Sequence, residues 1–299
     1  MIGSPTARPH RPLPRGLRIA VLLTPALVVV AVFFGAGVVQ TVVQSFGYQP
    51  YLPGSRLSLD AYRTLATDPA VRASLLLTAR IALVSTAAAA VLGVVAALGI
   101  RRLGRGQRWV TGAFTANLAV PHLVGALCML LLLGQAGFVS RLTHALGLTG
   151  DPGAFPALTN DAFGVAIIAE YVWKEAPFLT VLALAALNRG ADELADAART
   201  LGAGRLQRLR HVTLPLLVPA VGAGSVLVLA FTAGSYEVPF LLGQPYPATL
   251  PVVALSYYRD TDLGQRPVAM AVAVGITVLT SLVVAVYLHL VGRLGRRSV

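Results

Sequence analysis

The sequence predicts an all-α integral membrane protein with six spanning helices. Three observations lead there. Of the 299 residues, 56% are hydrophobic and only 12% are charged, with a mean hydropathy of +0.73. Six segments each offer the roughly 20 mainly apolar residues that a bilayer core about 30 Å thick requires. The basic residues fall in short clusters between those segments. A soluble domain carries about 25% charged residues, so this chain has too little charge to cover a water-facing surface. A soluble enzyme is excluded.

The first segment, 19–43, holds no charge at all. It follows Arg8, Arg11, Arg15 and Arg18, as a secretory leader would. Its apolar run of 25 residues exceeds the 7–15 of a signal core, and no clear A-x-A site follows, so a retained helix is expected. The Pro- and Arg-rich residues 1–16 read as a disordered cytoplasmic tail. The second segment, 75–100, carries Ser85, Ala87 to Ala90, Gly93, Ala96 and Ala97. Such small residues let helices approach closely in lipid, where hydrophobicity does not drive association. The third segment is 110–133. The fourth, 163–187, differs from the others by containing Glu170, Lys174 and Glu175. The fifth runs from 214 to about 231 and the sixth from 268 to 291.

The connections alternate in charge. The N-terminal tail, 101–108, 188–213 and the C-terminal tail together hold 16 basic residues. The other three connections, 45–74, 134–162 and 232–267, hold 6. Lys and Arg concentrate in short cytoplasmic loops, so both termini are expected inside, on a single transmembrane domain over 17–299. The net charge of +12 comes from these clusters rather than from a continuous basic face, which argues against nucleic acid.

Catalytic and metal chemistry have little to work with. Cys128 is the only cysteine, and His10, His122, His144, His211 and His289 are scattered without ligand spacing. A P-loop needs G-x-x-x-x-G-K, whereas the only lysine, Lys174, follows Glu170-Tyr171-Val172-Trp173. The chain therefore does not bind ATP by that route. Paired aspartates or a Ser–His set within the spans would mark an intramembrane enzyme, and neither occurs.

The longest inner loop is the informative one. Residues 191–215 read ADELADAARTLGAGRLQRLRHVTLP. Leu194, Ala197, Ala198 and Leu201 follow the i, i+3, i+4, i+7 spacing of an amphipathic helix. Asp192 and Glu193 sit in its first turn, where the helix dipole favours negative charge, and Gly202 is a natural stop. A second short turn sets Leu206 and Leu209 among Arg205, Arg208 and Arg210. Pro215 then falls in the first turn of the next span, where its missing N–H costs little. The residues alone leave two readings open: a surface that receives another protein, or an interfacial helix lying on anionic lipid.

Asp196-Ala197-Ala198, then Gly202, then Val212-x-Leu214-Pro215 resembles the E-A-A…G…I-x-L-P loop of ABC importer permeases. These are the inner-membrane components of binding-protein-dependent transport systems. Asp196 replaces Glu and Val212 replaces Ile, both mild departures. The resemblance covers about residues 70–292, the first helix and tail being variable additions. It implies the type I importer permease fold, with 188–213 as the coupling loop that docks in a cleft of a cytoplasmic ABC ATPase subunit. Asp196, Ala197, Ala198 and Gly202, with Leu214 and Pro215 behind them, would form that coupling element. ATP would be hydrolysed by the separate ATPase, so no cofactor is expected on this chain. The other implied partners are a second permease subunit, in a heterodimer, and an extracytoplasmic substrate-binding protein. The implied location is the bacterial cytoplasmic membrane.

The substrate is less legible. Residues 200–203 and 235–243 resemble the polyamine branch of these permeases, while 172–178 is similar to a segment of the sugar branch. The polyamine-like branch is favoured and a sugar-type permease is the alternative. Ionisable groups within membrane segments normally face a cavity or a partner, which makes Glu170, Lys174, Glu175, Tyr236 and Glu237 the candidate translocation path. Glu170 and Lys174, four residues apart, could also pair with each other. Glu237 beside Tyr236 would suit a cation through charge and cation–π attraction. Arg80 is expected either to reach the outer interface or to line the cavity. A proton-coupled secondary transporter using Glu170, Lys174 and Glu175 as a relay is the reading from another functional class.

Overall fold

The computed structural model describes residues 15–50, 52, 55–188 and 190–295. The tail expected over 1–16 lies outside the described residues, except for Arg15 and Gly16, which open the first helix. Among the described residues every regular element is helical. In chain order these are α1 (Arg15–Ser45), α2 (Asp60–Thr67), α3 (Pro69–Ile100), α4 (Gln107–Leu118), α5 (His122–Leu133) and α6 (Phe138–Ala145). There follow α7 (Val165–Leu187), α8 (Ala191–Thr200), α9 (Arg205–Arg208), α10 (Leu214–Gly234), α11 (Glu237–Leu242), α12 (Leu250–Arg259) and α13 (Arg266–Gly295).

Among the described residues, five stretches are long and apolar enough to cross a membrane: Gly16–Ser45, Pro69–Ile100, His122–Ala145, Arg205–Gly234 and Leu263–His289. The fourth expected segment, 163–187, forms α7. Its 23 residues reach roughly 35 Å at 1.5 Å per residue, but its three charged side chains set it apart from the apolar five. Glu170 and Lys174 are buried against neighbouring helices rather than turned to lipid.

The core runs along α3, α7 and α10. The α3–α7 pair is the most extensive helix contact, and α10 packs on both. The small-residue face expected on the second segment makes this possible. Ser85, Ala89, Gly93 and Ala97, four residues apart, are all buried on α3. At Gly93 a Cβ would lie 2.9 Å from Leu179 Cβ and 3.1 Å from the Ala176 carbonyl oxygen, so the two backbones approach as closely as only glycine permits. One end of the core gathers Leu77, Ile81, Ala126, Ile167, Tyr171 and Val238. The other gathers Ala97, Ile100, Ala183, Leu187, Leu217 and Val221. The helix α13 closes the side against α1, α10 and α12.

Two elements differ from expectation. The second span begins at Pro69 rather than 75, because the Asp68 side chain accepts the Ala70 N–H at 2.8 Å and caps the extended first turn. The third span, expected as one helix over 110–133, is broken into α4 and α5. Pro121 has no N–H to give and its ring crowds the preceding turn, so it adopts an extended conformation (φ −61°, ψ 143°) and starts a new helix.

Candidate functional site

The break before α5 creates a polar centre inside an otherwise apolar bundle. A helix that stops leaves its last carbonyls unsatisfied with partial negative charge, and one that starts leaves N–H groups with partial positive charge. Both ends of the break face α7. Lys174 Nζ donates to the carbonyl oxygens of Asn117 at 2.7 Å and Val120 at 2.6 Å, closing the end of α4. Glu170, fully buried, lies at the start of α5, with Oε1 3.3 Å from His122 Nδ1. Glu175 Oε1 lies 3.5 Å from His122 Nε2, on the other side of the same ring. An imidazolium donates to both carboxylates, whereas a neutral ring donates to one only.

The surrounding packing fixes this ring. The His122 ring sits 4.7 Å from that of Phe231 on α10 and 6.3 Å from that of Tyr171 on α7. Gly125, one turn into α5, leaves room for the carboxylate: a Cβ there would lie 2.8 Å from Glu170 Oε1. Glu170 Oε2 is buried with no hydrogen-bond partner. The Tyr171 hydroxyl is buried beside Ser235, also without a hydrogen bond of good geometry. Unpartnered polar atoms at a helix break, deep in a bundle, make this centre the candidate binding site.

The candidate translocation residues are thus partly brought together. Glu170, Lys174 and Glu175 converge on the break. The expected Glu170–Lys174 ion pair does not form; both groups instead serve the broken helix, whose dipole ends attract opposite charges. Tyr236 and Glu237 open α11, which packs on α5 and α7. Tyr236 stacks on Phe240 with ring centroids 5.0 Å apart, and Glu237 is exposed at the rim, within electrostatic range of Tyr171. His122 was not among the candidates. The signal for it was Val120-Pro121-His122, a proline followed by a polar residue in mid-segment. Proline alone does not suffice, since Pro25, Pro177 and Pro219 lie inside unbroken helices. Arg80 is half-buried against the connection before α7, its guanidinium on the Ala162 carbonyl and 4.8 Å from the Phe163 ring centroid.

The second site is the loop after α7, which is the helix–break–helix that its sequence spells. Gly202 adopts φ +84° and terminates α8. Its N–H bonds the Arg199 carbonyl at 3.0 Å, and the Ala203 N–H bonds that of Ala198 at 3.0 Å, the paired closure that a left-handed glycine allows. The Gln207 side chain then accepts the Gly204 N–H at 2.8 Å and starts α9. A π-turn over Leu209–Thr213 carries the chain into α10, with Leu214 and Pro215 in its first turn. Asp196 and Ala197 are exposed and Ala198 is half-buried. Leu201 is 88% exposed and Leu206 76%, apolar side chains that the chain itself leaves uncovered. Between the two short helices lies a groove of about 390 Å³ bordered by Ala198, Gly202, Gln207 and His211.

A family model described as binding-protein-dependent transport system inner membrane component matches residues 89–297. The chain belongs to this family. The matched segment contains both the broken helix and the α8–α9 loop, and it leaves out α1 and α2. Among relatives, a probable molybdenum ABC transporter permease protein of Haloferax volcanii is 32% identical over 78% of each chain. The putrescine transport system permease protein PotI of Escherichia coli K12 is 30% identical over 71% of this chain and 69% of its own. In fold, the chain matches a bacterial alginate ABC transporter crystallised with an alginate pentasaccharide-bound periplasmic protein, with a TM-score of 0.77 at 19% identity, covering 94% of this chain and 96% of that one. This permease is therefore a multi-pass membrane subunit of an ABC importer and not itself an enzyme.

Proposed function

We propose that this permease subunit forms half of a pathway for a small cationic solute, polyamine-like in chemistry, and is driven through its α8–α9 loop by a separate ATPase. One observation carries the coupling: a loop rigidly closed at Gly202 that presents uncovered Leu201 beside the small side chains Ala197 and Ala198. A bulky residue at either alanine would hold α8 off a partner's surface. Asp196 would complete the contact, while Leu214 and Pro215 transmit the loop's displacement into α10. ATP is bound and hydrolysed by the cytoplasmic partner, and this chain binds no cofactor.

The cationic reading rests on charge. The polar centre and its rim hold Glu170, Glu175 and Glu237, against one lysine already committed to two carbonyls. Tyr236 adds an aromatic face beside Glu237. The putrescine relative agrees with this chemistry and the molybdenum relative does not. The pathway is completed by a second, different permease subunit, and solute arrives from an extracytoplasmic binding protein. Both termini and the α8–α9 loop lie on the cytoplasmic side, as the distribution of arginines predicts.

The test is affinity purification of the tagged chain in mild detergent, with mass spectrometry of what accompanies it, for the wild type and Ala198→Arg. An ATPase with a P-loop recovered with the wild type and lost from the variant supports the reading. A chain that emerges alone and still transports without ATP overturns it in favour of a secondary transporter.

A further inference from the structure

Where α3 ends, its last turn, α8 and α9 border an open pocket of about 730 Å³ whose wall carries Arg101 and Arg208, both half-buried, and the exposed Arg102 and Arg205, together with Leu98 and Leu206. Of these four arginines, only Arg101 has an acidic partner among the described residues, Asp192. Arg102 and Arg205 have none, and Arg208 Nε is buried with no acceptor. Four guanidiniums around one space repel one another, and a buried N–H without an acceptor leaves its lost hydration uncompensated. An anion with several oxygens would relieve both, and the planar guanidinium fork matches the oxygens of a phosphate in particular.

Its position indicates the source of that phosphate. Arg101 and Arg102 follow directly on the apolar run of α3, which ends at Ile100, so their side chains lie at headgroup depth. Basic pockets between helices at this level are where anionic headgroups bind. Leu98 and Leu206 supply an apolar edge of the kind a glycerol backbone and acyl chain would lie along.

We propose that this pocket binds a phosphate-bearing anion: the headgroup of an anionic phospholipid in the adjoining leaflet, or free phosphate of the same chemistry. Arg208 lines both this pocket and the groove beside Ala198, so the bound anion braces the α8–α9 loop from behind. The proposal is independent of the transported substrate.

The experiment is native mass spectrometry of the purified full chain, with phosphatidylglycerol, phosphatidylcholine or inorganic phosphate added. Thermal unfolding is followed in parallel. Wild type is expected to retain a discrete phosphatidylglycerol adduct and to melt higher with it than with phosphatidylcholine. The Arg102→Gln, Arg205→Gln, Arg208→Gln triple variant is expected to lose affinity by about tenfold or more. The charge-matched Arg8→Gln, Arg11→Gln, Arg15→Gln variant is expected to keep the adduct. A triple lysine variant at 102, 205 and 208, which keeps the charge and loses the fork, is expected to fall between and to melt like wild type in neutral lipid. Inorganic phosphate that reproduces the stabilisation where phosphatidylglycerol does not identifies a soluble anion at the same site. Equal losses from both glutamine variants, or none from the pocket variant, overturn the proposal. Intact lipid binding with loss of the co-purifying ATPase overturns it too, and assigns the arginines to protein docking.

Discussion

Lys174 donates a 2.6 Å hydrogen bond to the carbonyl oxygen of Val120, the residue at which the chain stops being α4 and has not yet become α5. A cation 4% exposed is here a structural cap on a broken helix. Lys174→Met would leave the Val120 carbonyl without a partner and the Asn117 carbonyl with the Val120 N–H alone, and we expect a loss of roughly 1–3 kcal/mol. In detergent this reads as a clearly lowered thermal transition. An unchanged transition would mean that water closes α4 equally well.

At Gly202 a Cβ meets nothing within 4 Å, so the cost of replacing it is purely that of the left-handed backbone. That cost is about 1–2 kcal/mol for an ordinary residue and less for asparagine. Co-purification of the ATPase should therefore decline in the order Gly, Asn, Ala, Val at position 202. An order that follows side-chain size alone would indicate a crowded interface instead.

Gly93 and Gly99 lie on one helix and make opposite predictions. Gly93→Val drives a side chain into Leu179 and should destabilise by about 1–3 kcal/mol. Gly99→Ala meets open space and should leave stability unchanged or slightly raised. Comparing melting temperatures of the two variants tests whether the α3–α7 crossing is as close as described.

Glu170 and Glu237 separate structure from specificity. Glu237→Gln, at an exposed rim position, should abolish uptake of a cationic solute while leaving expression and ATPase association intact. Glu170→Gln replaces the buried carboxyl beside His122 and should alter thermal stability as well as uptake. Wild-type uptake of the solute by the Glu237 variant would remove the cationic reading.

Much of this was legible in the sequence because membrane solvation is a one-dimensional constraint. Apolar runs of bilayer length, arginine asymmetry, and the alanine–glycine–proline register of 191–215 all act locally, and α1, α10, α13 and the Gly202 break appear where they are spelled. The break in the third span is different. A break at Pro121 cannot be told by pattern from the unbroken passage of α7 through Pro177, because the difference lies in what α7 offers to the broken ends.

The sequence by itself determined the class of protein, the apolar helices and the shape of the α8–α9 loop, since each depends on hydropathy, helix period or backbone preference within one segment. Only the tertiary structure decided the partners of its buried charges. Lys174 and Glu170, neighbours on one helix, are drawn apart to the two dipole ends of another, and His122 is placed between two carboxylates. Those choices depend on which unsatisfied groups a neighbouring helix presents, and that is set by packing across the bundle.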